Sequence, residues 1–372
     1  MKRIIVSVIN DLVTDQRVDK TCRFLTGQGC RVLLVGRKLK NSLPLEGRPY
    51  KMHRMKLIWR KGPLFYAEFN IRLFFFLLVR KSHLLHSNDL DTLLPNYLIH
   101  RLKGIPLVYD SHELFTQTPE VINRPFVQNS WKLIEKCIVP RLDRAYTVNA
   151  SIARIFHFMY KTDFRVVRNI PECKDNIPEG SRNELGLPPD KNIILLQGSG
   201  INMQRGAEEL VEAMRYLDEH YLLLVIGDGD VIDELKEISR KNELGEKVRF
   251  LPKMPFRQLQ QYTRQADLGV SIDKDSNPNY RYSLPNKLFD YIHAGVPVMA
   301  SRLFEIEKII RQYRIGDFIE DHQPEIIAAK IREMLGNREK LDYWKENLKF
   351  AAKELSWQNE QKELKEVYRG YV

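Results

Sequence analysis

Residues 282–301, YSLPNKLFDYIHAGVPVMAS, place charged groups at the predicted start of a helix that leads into a short strand. Pro285 stands where a first helical turn tolerates proline. Such a helix start offers unpartnered backbone N–H groups and a positive dipole end to an anion. Asn286 and Lys287 fall in that first turn, and Asp290, one turn later, could accept hydrogen bonds from hydroxyls. The pattern predicts a site for a phosphate followed by a ribose; the alternative is an ordinary helix-to-strand turn.

A second polar group follows the predicted strand at residues 106–109. It comprises Asp110, Ser111, His112 and Glu113. Since the carboxyl ends of strands line the ligand crevice of doubly wound sheets, this cluster is a candidate site. The alternative is a helix N-terminus capped by Ser111.

Two glycine-containing turns follow predicted strands in the second half of the chain. Residues 192–197 lead into GSGINMQRG, which contains Gly198, Ser199, Gly200 and Arg205, and residues 221–226 lead into Gly227, Asp228 and Gly229. Glycine lets a ligand approach the backbone closely. An arginine can hold a diphosphate through two parallel hydrogen bonds.

The length and composition indicate a globular protein with more than one core. A chain of 372 residues suits two α/β domains, and a hydrophobic content of 43% with 29% charged residues is typical of soluble proteins. Cys22, Cys30, Cys137 and Cys173 lack metal-binding spacing and are interpreted as reduced, cytosolic thiols. The opening MKRIIVSVIN is interpreted as a first strand, and no apolar run approaches the roughly 20 residues of a membrane span.

The positive charge is concentrated in the first half of the chain. Residues 1–170 contain 29 Lys and Arg against 13 Asp and Glu, a balance of +16, which leaves −5 for the remainder of a chain whose formal charge is +11. Such a half could face a membrane, nucleic acid or an anionic substrate. In residues 54–66, cations surround Leu57, Ile58 and Trp59, a combination that favours contact with an anionic lipid surface. Residues 74–79 are interpreted as part of a buried helix that covers the sheet.

Four stretches resemble, in the expected order, motifs of nucleotide-sugar-dependent glycosyltransferases of the GT-B fold, retaining family 4. They are YDSHE, the turn with Arg205, GDG and SLPNKLFDY. The family motif has an acidic residue, seven others and a Glu before A-G-x-P-V. Asp290 falls on the second acidic position, whereas Tyr282 occupies the first, so half of that motif is missing.

The resemblance implies an α/β fold with two Rossmann-like domains facing across a cleft. Residues 1–170 would bind the acceptor and residues 171–340 the nucleotide sugar. A helical tail, residues 341–372, would pack back on the first domain.

The resemblance also implies the role of each site residue. His112 would lie beside the donor sugar, Arg205 and Lys287 would hold the diphosphate, and Asp290 the ribose. The remaining donor contacts would come from Gly198, Ser199, Gly200, Gly227, Asp228, Gly229, Pro285, Asn286 and the base-binding strand end at Leu251. Such a hexosyltransferase would use a UDP- or GDP-sugar, with retention and without metal. His112 as a conventional general base is a hypothesis.

The expected acceptor is a glycan or a lipid-linked hydroxyl, as in cell-surface polysaccharide synthesis. The expected location is the cytoplasm, with association to the inner face of the cytoplasmic membrane. Three alternatives stay open: a nucleotide-sugar epimerase or hydrolase, a non-catalytic donor-binding subunit in which Tyr282 replaces an acidic residue, and a nucleic-acid-binding protein. No recognised nucleic-acid motif accompanies the basic half, so no nucleic-acid partner is expected.

Overall fold

A computed structural model describes residues 1–13, 15–40, 42, 44–45, 47–172 and 180–372. Cys173 therefore lies outside the described residues, while Cys22, Cys30 and Cys137 are free thiols. The chain divides into two compact units. The first unit contains Met1–Asn169 and Glu360–Val372, and the second contains Ile170–Asn359.

The first unit is a parallel seven-stranded sheet with strand order β3-β2-β1-β4-β5-β6-β7. Its strands are β1 (Arg3–Ser7), β2 (Arg31–Arg37), β3 (Lys51–Met55), β4 (Leu84–Asn88), β5 (Leu107–Ser111), β6 (Arg144–Thr147) and β7 (Phe164–Val166). The helices are α1 (Gln16–Gly27), α2 (Gly62–Val79), α3 (Leu90–Lys103), α4 (Pro119–Ile122), α5 (Pro125–Ile138) and α6 (Ala150–Tyr160). Strands β4 and β5 are buried throughout, as expected where helices cover both faces of a parallel sheet.

Side-chain caps define where several of these helices begin. The Asp15 carboxylate accepts a hydrogen bond from the Val18 N–H at the start of α1, and Asn149 does the same for Ile152 at the start of α6. Each cap satisfies one N–H that the first helical turn leaves without a partner.

The second unit is a parallel six-stranded sheet with strand order β10-β9-β8-β11-β12-β13. Its strands are β8 (Asn192–Gly198), β9 (Tyr221–Gly227), β10 (Val248–Pro252), β11 (Leu268–Ser271), β12 (Val298–Ala300) and β13 (Gly316–Phe318). The helices that follow β7 are α7 (Ala207–Ala213), α8 (Ile232–Lys241), α9 (Phe256–Arg264), α10 (Pro278–Arg281), α11 (Asn286–Ala294), α12 (Phe304–Tyr313), α13 (Pro324–Gly336), α14 (Arg338–Glu354) and α15 (Trp357–Val367).

The C-terminal helices divide between the two units. Helix α14 buries Leu348 and Ala351 in the core of the second unit, so this unit extends to residue 359 rather than to the expected residue 340. Residues from Glu360 onward belong to the first unit, where the Tyr368 hydroxyl lies 2.9 Å from His86 Nδ1. The segment that belongs to the first unit is thus shorter than the predicted tail.

Helix α2 is apolar on more than one face. It buries Phe65, Phe69, Leu73 and Leu77, a stripe at intervals of four residues, whereas Ile71, Phe75 and Val79 on other faces are exposed. The prediction of a helix that covers the sheet therefore describes one stripe only. By length and composition α2 also passes as a membrane span, a test that core helices of soluble proteins pass too.

Candidate functional site

The carboxyl ends of the strands in the second sheet bring several predicted residues together. Gly198 of β8 pairs with Gly227 of β9, and Leu251 of β10 pairs with Ile226, one residue before that glycine. The Asp228 N–H donates to the Gly198 carbonyl at 3.1 Å, which ties the two turns to each other. The predicted nucleotide-binding segments therefore share one edge of the sheet.

The glycines at this edge have two different roles. A Cβ atom at Gly227 would lie 1.7 Å from the Gly198 carbonyl oxygen, and one at Gly229 would lie 1.9 Å from the carbonyl oxygen of Ile201. Packing of one loop against the other requires these two glycines, which the sequence had assigned to ligand approach. A Cβ at Gly200 would meet nothing closer than 3.8 Å, so this position leaves the backbone accessible.

The other residues of the two turns also differ in exposure and contacts. Ser199 is exposed. The Asp228 carboxylate accepts a hydrogen bond from the Gly229 N–H at 2.9 Å and so stabilises its own turn. Asp228 thereby has a structural contact in addition to its predicted one.

A buried carboxylate that the sequence analysis did not select joins the two predicted phosphate-binding cations. Asp273 lies two residues after β11 and is 1% exposed. Its Oδ1 is 3.4 Å from Lys287 Nζ and its Oδ2 is 3.8 Å from an Arg205 guanidinium nitrogen. The Arg205 guanidinium also lies over the Tyr280 ring, 4.7 Å from its centroid. Asp273 could have been identified from the sequence, because it lies just beyond a buried strand.

The electrostatics of this cluster favour an incoming anion. Burial lowers the pKa of Lys287, the Asp273 carboxylate opposes that shift, and the charge of Arg205 adds to it. Asp273 therefore lies against two cations in a site where water is partly excluded. A diphosphate would supply the negative charge that this cluster lacks.

Helix α11 begins at this same edge. Pro285 is its N-cap residue rather than part of its first turn, and no side chain caps the N-terminus. The exposed Asn286 and the buried Lys287 are the first two helical residues. The expectation of a helix N-terminus beside the cations agrees with this geometry, displaced by one residue.

Asp290 lies one turn further along α11 and is part of a polar chain. Gln197 Nε2 donates to Asp290 Oδ2 at 3.0 Å, and the Thr263 hydroxyl donates to Gln197 Oε1 at 2.7 Å. Gln197 is the residue before Gly198 and is buried. Sequence reasoning missed Gln197 and Thr263, which orient the predicted ribose-binding carboxylate. Tyr282, at the other motif position, places its ring edge against Phe304.

In the first unit, His112 is clamped by two carboxylates. Asp89 Oδ1 accepts a hydrogen bond from the His112 backbone N–H at 2.8 Å, and Asp89 Oδ2 lies 3.0 Å from Nδ1 of the ring. The other ring nitrogen, Nε2, lies 3.2 Å from Asp110 Oδ2. Asp110 and Ser111 are the last residues of β5 rather than the loop after it, and no described helix begins there, which excludes the capping alternative for Ser111.

Arg17 completes this arrangement from α1. Its Nε and Nη2 donate to the two oxygens of Asp110 at 2.9 and 2.7 Å, and its Nη1 donates to the Val167 carbonyl at 2.8 Å. Burial opposes charge on the imidazole, but Asp89 and Asp110 raise the pKa of His112 well above its usual range. Burial would likewise raise the pKa of Asp110, but Arg17 and His112 lower it well below its usual range.

His112 is therefore an imidazolium with a carboxylate at each nitrogen. A base needs a free lone pair, so this geometry argues against the general-base hypothesis. Asp89, which contacts both the backbone N–H and the ring Nδ1 of His112, has a backbone φ of 57°, a strained value for a residue with a side chain. Among the described residues, no group of three or more His, Cys, Asp or Glu side chains could hold a metal ion.

Two α/β units, each with a parallel sheet, are the architecture of the GT-B glycosyltransferase fold. The family model "Glycosyltransferase Family 4" matches residues 15–172, and "Glycosyl transferases group 1" matches residues 179–349. The chain belongs to this glycosyltransferase family.

Curated relatives are distant and are matched over part of their length. A D-inositol 3-phosphate glycosyltransferase of Nocardia farcinica is 26% identical over 262 residues, which are 64% of this chain and 55% of that protein. An uncharacterized glycosyltransferase of Methanocaldococcus jannaschii is 28% identical over 191 residues, or 50% of this chain and 47% of that one. The chain thus spans about half the length of these relatives.

Solved structures share the fold over nearly the whole chain. Sucrose-phosphate synthase from Thermosynechococcus elongatus has a TM-score of 0.81 at 18% identity, with 99% of this chain and 98% of that one covered. Anabaena HepE in complex with UDP and glucose has a TM-score of 0.76 at 12% identity, with 99% and 100% covered. The lipopolysaccharide glycosyltransferase WaaG has a TM-score of 0.72 at 15% identity, with 99% and 100% covered.

Proposed function

We propose that this protein transfers a hexosyl group from a UDP- or GDP-sugar to the hydroxyl of a lipid-linked or growing cell-surface saccharide, with retention of configuration. The observation that carries the proposal is the buried Asp273 carboxylate, which holds Arg205 and Lys287 beside the start of α11. HepE, which shares the fold, binds UDP and UDP-glucose. A uridine or guanosine diphosphate is accordingly assigned to the second unit.

Arg205 and Lys287 would stabilise the departing diphosphate. As the bond from the sugar C1 to the phosphate oxygen breaks, negative charge grows on that oxygen, and cations already in place stabilise it without rearrangement. Two protein cations can supply this charge directly, which supports transfer without a metal. Asp290, oriented by Gln197, would accept hydrogen bonds from the ribose hydroxyls.

His112 would contribute a positively charged ring beside the sugar rather than act as a base or as a hydrogen-bond donor to it. Because Asp89 and Asp110 hold both of its nitrogens, the acceptor proton must go elsewhere. We assign that proton to the leaving phosphate oxygen, with the new bond formed on the face from which the diphosphate departs. This route accounts for retention without a covalent enzyme intermediate.

The acceptor is assigned to the first unit, with the protein at the inner face of the cytoplasmic membrane. Ile58 and Trp59 are 76% and 50% exposed in the 54–66 region, beside exposed Arg60 and Lys61. Exposed aromatic and aliphatic groups next to cations favour an anionic lipid surface.

Nucleotide binding followed by turnover tests the proposal. Calorimetric titration with UDP, GDP, ADP and CDP should identify one preferred nucleotide. Arg205→Met and Lys287→Met should each weaken its binding by about tenfold to a hundredfold, since each removes a charge-assisted contact of about 1.5–3 kcal/mol. Lys236→Met is the matched control, because Lys236 is exposed in the second unit and, among the described residues, forms an ion pair with the exposed Asp233 alone.

The alternatives give different results in the same assay. Sugar release or conversion from the donor at full rate without acceptor would indicate a hydrolase or epimerase. Nucleotide binding with no turnover on any saccharide acceptor would indicate a non-catalytic subunit. Absence of binding to all four nucleotides would refute the donor site itself.

A further inference from the structure

Two adjoining cavities lie in the first unit, in a region not assigned to the donor or to His112. The first, the cationic cavity, has a volume of about 340 Å³. Five of its nine lining residues are Lys or Arg, and none is Asp or Glu. The five basic residues are Arg37, Lys38, Lys40, Lys56 and Arg60. The aromatic ring of Trp59 also lines this cavity. Such a lining binds phosphate-like anions.

The second cavity, the apolar cavity, has a volume of about 540 Å³. Its main walls come from α2, α3 and α5 and include Tyr66, Leu94, Phe126, Val127, Trp131 and Ile134. Its charged lining residues are all cations: Arg37, Arg60, Lys61 and Arg124. Both volumes fall in the range of about 300–1,000 Å³ that is typical of small-molecule sites.

The two cavities share Arg37, Arg60 and Phe65. The Arg37 guanidinium lies over the Phe65 ring, 4.6 Å from its centroid. Within the part of the chain that the structure describes, Arg37 Nε is buried without a hydrogen-bond partner. A buried donor without a partner is costly, so an anion at this junction would be stabilised.

The walls are held in place by specific contacts. Glu68 of α2 accepts hydrogen bonds from the backbone N–H groups of Ile58 and Trp59 at 2.9 Å each, which fixes the loop of the cationic cavity on α2. In the apolar cavity, the Trp131 ring contacts the edge of Tyr66 at a centroid distance of 5.3 Å. Walls that are ordered in advance lower the entropic cost of binding.

We propose that these cavities together bind an anionic amphiphile, with its phosphate-bearing head in the cationic cavity and its hydrocarbon chain in the apolar cavity. A free phosphate would leave the aromatic and aliphatic walls in contact with water, and an uncharged hydrophobe would leave the cations unpaired. One ligand that carries both groups satisfies both cavities through Arg37. The inference rests on the proposed function, in that it names the chemical class of the acceptor or of the lipid that anchors it.

Titration of the full chain with monomeric alkyl phosphates tests this site. Dodecyl phosphate, below the concentration at which it forms micelles, should bind saturably at one site per chain. In the series octyl, decyl and dodecyl phosphate, affinity should rise by about fourfold for each methylene that enters the apolar cavity. Inorganic phosphate and dodecanol should each bind at least about tenfold more weakly than dodecyl phosphate.

Matched variants separate the cavities from general surface effects. Phe126→Ser and Arg124→Met alter exposed residues of the apolar cavity, and each should weaken dodecyl phosphate about tenfold. The controls Phe158→Ser and Arg154→Met alter exposed residues of α6, outside both cavities, and should leave it unchanged. Arg37→Met, at the junction, should remove the preference for dodecyl phosphate over dodecanol.

Three results would overturn the proposal: no saturable binding of the monomer, equal binding by the cavity variants and the controls, or inorganic phosphate binding as tightly as dodecyl phosphate. Two further arms identify the source of the ligand. If dodecyl phosphate inhibits transfer competitively with the acceptor, the natural ligand of the cavities is the acceptor itself. If dodecyl phosphate instead releases the protein from phosphatidylglycerol vesicles and leaves transfer unchanged, the natural ligand is a bilayer lipid. Titration of the same samples with nucleotide measures the donor site independently. Failure of the amphiphile proposal can therefore be distinguished from failure of the proposed donor site.

Discussion

Replacing Arg17 with Met should remove the buried ion pair between Arg17 and Asp110 while keeping the length of the side chain. Arg17 is 5% exposed, Asp110 is 0% exposed, and two hydrogen bonds of 2.9 and 2.7 Å join them. Methionine fills the same space without charge. The substitution therefore leaves a buried carboxylate that only His112, 3.2 Å away, still compensates.

The expected loss is about 3–5 kcal/mol in the free energy of opening of the first unit, the usual cost of removing one partner of a buried ion pair. Because the His112 imidazolium still compensates part of the charge of Asp110, the loss in opening free energy should lie near the lower value, about 3 kcal/mol. Arg23→Met on the same helix is the control. Arg23 is 45% exposed and pairs with Asp19 at 2.9 Å, so its loss should cost no more than about 0.5 kcal/mol.

The pH dependence has a defined sign. In the native protein the pKa of Asp110 is lowered, so its contribution to stability is present above the ordinary carboxyl pKa and is lost as pH falls toward the lowered value. Without Arg17, burial prevails and the pKa of Asp110 rises. The folded variant then takes up a proton as the medium becomes acidic, and the difference from the native protein should shrink from pH 7.5 to pH 5.

Hydrogen exchange of peptides that cover β5 and β6 measures this opening free energy within the first unit. The same samples should bind nucleotide normally but turn over more slowly, because Asp110 without Arg17 no longer positions His112 as it does in the native protein. A loss below about 1 kcal/mol at pH 7.5, or a loss that grows as pH falls, would refute the reasoning about Arg17.

Three further predictions concern single positions. Gly229→Ala should lower the melting temperature of the protein, because its Cβ would lie 1.9 Å from a carbonyl oxygen, whereas Gly200→Ala should fold normally and lose nucleotide affinity. The pH–rate profile should show no rise near the ordinary histidine pKa, because His112 stays protonated there. A rise in rate near that pKa that disappears in His112→Asn would show instead that His112 acts as a base. Tyr368→Phe should cost about 1–3 kcal/mol in the opening free energy of the first unit, since it leaves the buried Nδ1 of His86 without its 2.9 Å partner.

The Tyr368 prediction has a further pH signature. Burial lowers the pKa of His86 to about 4, so the ring is neutral at ordinary pH and its nitrogens need neutral partners. The loss in Tyr368→Phe should therefore be constant from pH 6 to pH 8. A loss that changes over this interval would indicate that His86 titrates there.

Several site residues could be predicted because local chemistry determines them. Lys287 and Asp290 lie three positions apart on one helix, and a helix N-terminus attracts anions wherever it occurs. His112 follows a buried apolar strand of a parallel sheet, and such strand ends line ligand sites. The net charge of the first half of the chain likewise depends on composition alone.

Other contacts within the candidate site could not be predicted, because the two partners are distant in the chain. Asp273 lies 68 positions after Arg205 in the sequence. Only the packing of β11 beside β8 brings the loop that contains Asp273 close to Arg205. Arg17 lies 93 positions before Asp110, and Gln197 lies 93 before Asp290. The sequence contained each of these side chains but no periodicity that connects one with the other.

The sequence by itself determined two α/β units, the order of their motifs and the residue types of the proposed diphosphate site, because strand and helix patterns and glycine turns are local properties. Tertiary structure alone decided that His112 is an imidazolium, that Gly227 and Gly229 serve loop packing, and that Asp273 holds the two cations. Protonation state and close backbone contact depend on what burial brings within a few ångströms, and that neighbourhood exists only in the folded chain.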